Sequence, residues 1–243
     1  MRGKKRYRIR PRFFVIVFVL ICLLVGGITF LLHSCGSDGD SMAVDILRTQ
    51  QLQGRKMMSA AREYISNREL RYDDQYFSNA YPPDNIGVCT DVVWKALESI
   101  GVDLKLLMDE EIGESFYYYE DIIAVQDPNI DFRLVPQMER FLRRNAIVLT
   151  NDVDDIMAWQ PGDIVTFESS HVAIVSRRYN IWGRPFIIQH GKDPAAEEDR
   201  IFASDGMVIS GHFRWPLASG KKIKVNQSED TEREDIYLEI NVE

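Results

Sequence analysis

The apolar positions follow three rhythms along the chain. From Phe13 to Leu32 they run unbroken, 20 residues without a charged side chain. At about 1.5 Å of rise per residue, a helix of that length spans the roughly 30 Å hydrocarbon core of a bilayer. From Ala43 to about Arg71 the spacing is helical, with Ile46, Leu47, Met57, Met58, Ala61 and Tyr64 turned inward and Gly54 a point of interruption. Thr90 to Ile100 repeats that spacing through Val92, Val93, Ala96, Leu97 and Ile100, and stops at Gly101. Pro136 to Arg144 predicts a further amphipathic helix. Beyond it the period shortens. Asp163–Phe167, His171–Ser176, Pro185–His190 and Met207–Trp215 read as strands, punctuated by Pro161-Gly162 and by Trp182-Gly183-Arg184-Pro185. Helices first and strands afterwards predict an α+β fold with an antiparallel sheet.

Charge sharpens the reading of the first segment. Residues 1–12 carry seven basic and no acidic side chains, immediately before the apolar run. That asymmetry predicts a cytoplasmic N-terminus, a transmembrane anchor over 13–32 and a body outside the cytoplasm. Two rivals keep the body outside. One is a cleaved signal, for which the run is long. The other is lipidation at Cys35, since Leu32-His33-Ser34-Cys35 loosely resembles a lipoprotein box. The expected organisation is then a basic segment 1–12, the anchor 13–32, a polar linker 33–42, a domain 43–220 and an acidic tail 221–243, with one edge strand at Ile236–Ile240. Residues 13–243 hold 22 basic against 37 acidic side chains, a formal −15 that repels phosphate backbones and excludes nucleic acid as a partner.

Cysteine usage directs attention to one residue. Of Cys22, Cys35 and Cys89, only Cys89 lies in the body, so no disulfide can form within it. A thiol at a helix N-terminus is stabilised as the thiolate by the dipole and the free N–H groups. Cys89 also continues the apolar stripe of its helix, so a packing role stands beside the nucleophilic one. His171 opens a strand after Glu168-Ser169-Ser170, the placement a Cys–His pair needs. The next strand ends in Gln189-His190, and either side chain could accept the second imidazole N–H. Strand alternation allows only one of them to do so. His190, nearer the strand end, is the favoured third member and Gln189 the alternative. A zinc site built from Cys89, His171 and His190 has suitable ligand types but no close-spaced pair, so neither metal nor cofactor is expected. Asp91 is placed to reach back to free N–H groups at the helix start. Asp127, Asp131 and Arg133 suit a salt-bridged turn, and Trp159 and His212 suit packing.

The motifs Gly87-Val88-Cys89-Thr90-Asp91-Val92-Val93 and Gly101-Val102-Asp103-Leu104 resemble those of a bacterial family, number 1287 among the domains of unknown function. So, in order, do Tyr81-Pro82, Asp127-Pro128-Asn129-Ile130-Asp131, Trp159-Gln160-Pro161-Gly162-Asp163-Ile164-Val165, His171-Val172-Ala173-Ile174-Val175-Ser176 and Gly211-His212-Phe213-Arg214. The resemblance covers roughly residues 70–216. It implies a papain-like fold of the NlpC-related superfamily, with Cys89 as nucleophile and His171 as general base. Where the family pattern has His-Asn, this chain has Gln189-His190. The implied activity is hydrolysis of an amide bond, with a cell-wall peptide or another amide as substrate. A non-catalytic envelope-binding module and an acyltransferase are the alternatives.

Overall fold

The structure, a computed structural model, describes residues 41–79, 81–201 and 207–217. The basic segment, the apolar run with Cys22, Cys35, most of the linker and the acidic tail with Ile236–Ile240 lie outside them. No helix among the described residues is long and apolar enough to cross a membrane. Contacts divide the chain after Arg48, and everything below concerns the unit that begins at Thr49.

In this unit helix α1 covers 49–65 and buries Met57, Met58 and Ala61. Gly54 does not interrupt it. A Cβ there would lie 2.3 Å from the Pro161 carbonyl oxygen, so the glycine is where the 161–162 turn touches the helix backbone. Two short parallel strands follow, β1 (Arg71–Tyr72) and β2 (Ile86–Gly87). Next come α2 (Cys89–Glu98), α3 (Leu104–Glu114) and α4 (Val135–Asn145). Gly101, at φ 81°, supplies the left-handed residue that ends the α2 region, and Asp103 caps α3 by accepting from the Leu106 N–H at 3.0 Å. Pro136 opens α4, where a missing N–H costs nothing.

The second half builds one antiparallel sheet of β3 (Ile147–Val148), β4 (Ile164–Phe167), β5 (His171–Tyr179), β6 (Pro185–Gln189), β7 (Ala196–Glu198) and β8 (Ile209–Arg214). Their order is β3-β8-β4-β5-β6-β7. The fold is therefore α+β, as the helix-then-strand order predicts. Alternation divides the sheet's side chains between two cores. Ile164, Val172, Ile174, Ile188 and Phe213 join the helices. Val165, Phe167, Ala173, Val175 and Ile187 pack with Val153, Trp159 and Ile201 on the opposite face. With both faces covered, the central strands carry apolar residues at successive positions.

Candidate active site

Cys89 is the first residue of α2, and a buried ion pair fixes that helix start. The Asp91 carboxylate accepts from the Val88 N–H at 2.8 Å and takes Arg133 through two bonds of 3.0 and 2.9 Å. Both side chains are essentially inaccessible, 0% and 2% exposed, so each depends on the other for its charge to be tolerated. Thr90 donates its hydroxyl to the Arg133 carbonyl at 2.9 Å. The two residues that follow the cysteine are thus tied to the short helical turn Asp131–Arg133. Asp91 has the capping role expected of it. Arg133 is structural, and Asp131 is too, accepting from the Asp127 N–H at 2.8 Å.

The cysteine side chain is buried, 7% exposed. The backbone N–H groups of Val172, Thr90 and Cys89 itself lie close enough to its sulfur to favour the thiolate. The sulfur therefore sits against β5, one residue along from His171. No hydrogen bond among the described residues joins it to the imidazole. Burial pushes the thiol up to about 11, against the pull of those N–H groups. The resting group is the neutral thiol, not the thiolate that the helix dipole alone suggests.

His171 is set by the turn before it and the strand beside it. Glu168 and Ser169 take left-handed φ values of 49° and 53°. The turn is held from α4: Glu139 accepts from Ser169 Oγ at 3.0 Å and from Ser210 Oγ at 2.8 Å. The β5–β6 register pairs Ile174 with Ile188 and Val175 with Ile187. Continued outward, it puts Gly191 opposite His171, and a Cβ at Gly191 would sit 3.0 Å from the ring Cε1. Gln189 is then the diagonal neighbour on the same face. Its Oε1 makes a short hydrogen bond with His171 Nε2. Burial lowers the His171 pKa below 6.5, with Gln189 opposing the shift.

The expected order of Gln189 and His190 is thus reversed. The side chain that meets His171 is Gln189. His190 turns to the other face, fully buried, with Nε2 3.2 Å from Asp193 Oδ1 and the ring edge-on to Tyr72. The β5–β6 register decides between the two: with Gly191 opposite His171, Gln189 shares its face and His190 does not. Cys89, His171 and His190 do not form a metal cluster, and the described residues contain none. His212 stacks on Trp159 at 3.6 Å and bonds Asp163 at 3.0 Å, a buried packing role as expected.

The structure thus sets a thiol at a helix start and an imidazole at the start of the strand its helix packs on, with the Gln189 amide on the imidazole Nε2. Residues 58–215 match the family described as Domain of unknown function (DUF1287), and the chain belongs to it. It is also 33% identical over 165 residues to the Uncharacterized protein YijF of Escherichia coli (strain K12), covering 64% of this chain and 78% of that one. No solved structure matches.

Proposed function

We propose that the chain is a membrane-anchored cysteine hydrolase that cleaves an amide bond outside the cytoplasm, with a papain-like, NlpC-related domain and a cell-wall peptide as substrate. The carrying observation is His171, whose Nε2 is occupied by Gln189 while its Nδ1 is left to act as base. Nδ1 takes the Cys89 proton as the sulfur attacks the carbonyl carbon, forming the C–S bond. The N–H groups of Cys89 and Thr90, already turned toward the sulfur, receive the developing oxyanion. The imidazolium returns its proton to the leaving amine. Water, deprotonated by the same nitrogen, releases the acyl group and restores the thiol. A neutral thiol beside an imidazole of lowered pKa fits a general-base mechanism better than a preformed ion pair. The outside location and the membrane partner rest on residues 1–32.

A second reading, a non-catalytic binding module, draws support from the same raised Cys89 pKa, which describes an unreactive thiol. Purified cell-wall fragments incubated with the full-length chain, with products analysed by mass, separate the two. Cleavage that Cys89→Ala reduces more than about a thousandfold is expected of the hydrolase. Cleavage that survives in folded Cys89→Ala overturns it.

A further inference from the structure

A polar diagonal crosses three strands beside the site. The β6–β7 register pairs Gln189 with Ala196 and Ile187 with Glu198, so Glu198 is diagonal to Gln189 as Gln189 is to His171. Gln189 Nε2 donates to Glu198 Oε1 at 3.4 Å, while Gln189 Oε1 meets His171 Nε2. An amide has two unlike ends, and either could face an imidazole. An ionised carboxylate offers acceptors only, so the end turned to Glu198 has to be the NH2 group. The carbonyl end then faces His171, and the nitrogen it meets has to carry the hydrogen.

We propose that Glu198 is a positioning residue: it fixes the amide of Gln189 and, through it, holds His171 with the hydrogen on Nε2 and a free lone pair on Nδ1. This rests on the Cys–His reading of the site but acts on the resting protein. With a carboxylate at position 189 the device would be unnecessary, since a carboxylate has no wrong end. Glutamine needs a neighbour to choose for it. Glu198 is one-third exposed and also faces Arg200 at 3.9 Å, so it is not part of the packed core.

The hydrogen can be located directly. Full-length chain labelled with 15N-histidine, read by long-range 15N–1H NMR, should show His171 hydrogenated on Nε2 in the wild type. Glu198→Gln is isosteric and removes the preference, so His171 should become a mixture of tautomers. Alkylation of Cys89 by iodoacetamide at neutral pH should then slow by about twofold, the loss when two tautomers share the population equally. The exchange variant Gln189→Glu with Glu198→Gln should restore the single tautomer, because the carboxylate now sits beside the ring. Because a carboxylate at 189 has no wrong end, a single tautomer in the exchange variant shows that the mixture in Glu198→Gln comes from the amide's freed orientation and not from a disturbed strand. Hydrogen on Nδ1 in the wild type overturns the proposal, as does a Glu198→Gln spectrum identical to it or an exchange variant that stays mixed. Should no amide substrate be cleaved, the hydrolase reading fails while the tautomer result stands or falls separately.

Discussion

Protonation at the site is set by burial, and the signs for its two residues are opposite. His171 has a pKa below 6.5 in the folded chain, so it stays a neutral base below the pH at which a free imidazole charges. Cleavage should be level from neutral pH down past 6.5 and fall only as pH drops through the lowered value; an acid limb above 6.5 would contradict the buried assignment. The same shift makes the folded state bind fewer protons than the unfolded one, so this residue's contribution to stability is lost as pH falls below about 6.5. Cys89 runs the other way, and its alkylation should keep climbing beyond pH 9 toward about 11. A plateau near neutrality would instead reveal a thiolate–imidazolium pair. Substitutions separate the two neighbours on β6. Gln189→Ala should lower cleavage by about ten- to a hundredfold with little change in stability. His190→Ala, which empties a fully buried site, should cost about 1–3 kcal/mol in denaturant melts and spare the activity of the folded fraction.

At the level of elements, the Cys89 helix start is held by a pair that sequence spacing hides. Asp91 was readable as a cap from its place two residues after Cys89, yet its union with Arg133 spans 42 residues and follows only from the fold. Asp91→Asn should destabilise the chain by about 3–5 kcal/mol, because it leaves Arg133 charged and buried without its counter-ion; a shift under about 1 kcal/mol would show the pair to be dispensable. The long elements were legible because their periods repeat: α4 and the main strands lie within a few residues of their sequence limits. Two- and three-residue strands such as β1, β3 and β7 are too short to show a period. Gln189 and His190 were narrowed to one by alternation. The choice between them needed the β5–β6 register, which shifts between Val175 and Tyr179 and cannot be counted through the turn. Gly54 read as a break for a related reason. Its value lies in the distant Pro161 carbonyl that touches it, a contact no local pattern carries.

Over the whole molecule, the candidate chemistry and the candidate location depend on different parts of the chain. The α+β body and its site come from residues that pack, and they would be built identically on either side of a membrane. The proposed location rests on seven cations beside 20 uncharged residues. A wall-peptide substrate requires both, so the orientation has to be tested independently of cleavage. Ile181 lies in the β5–β6 turn and is 88% exposed, which makes it a surface position where a new thiol disturbs little packing. In cells stripped of their outer layers but with the inner membrane intact, a membrane-impermeant maleimide should label Ile181→Cys without lysis. Cys89 is buried and should contribute little signal, and the unsubstituted chain gives the background from the remaining thiols. Labelling that appears only after the membrane is opened would put the body in the cytoplasm. The His171–Gln189 contact would stand unchanged by that result, but the proposed substrate would have to be an amide of the cell interior, because no wall peptide would reach it.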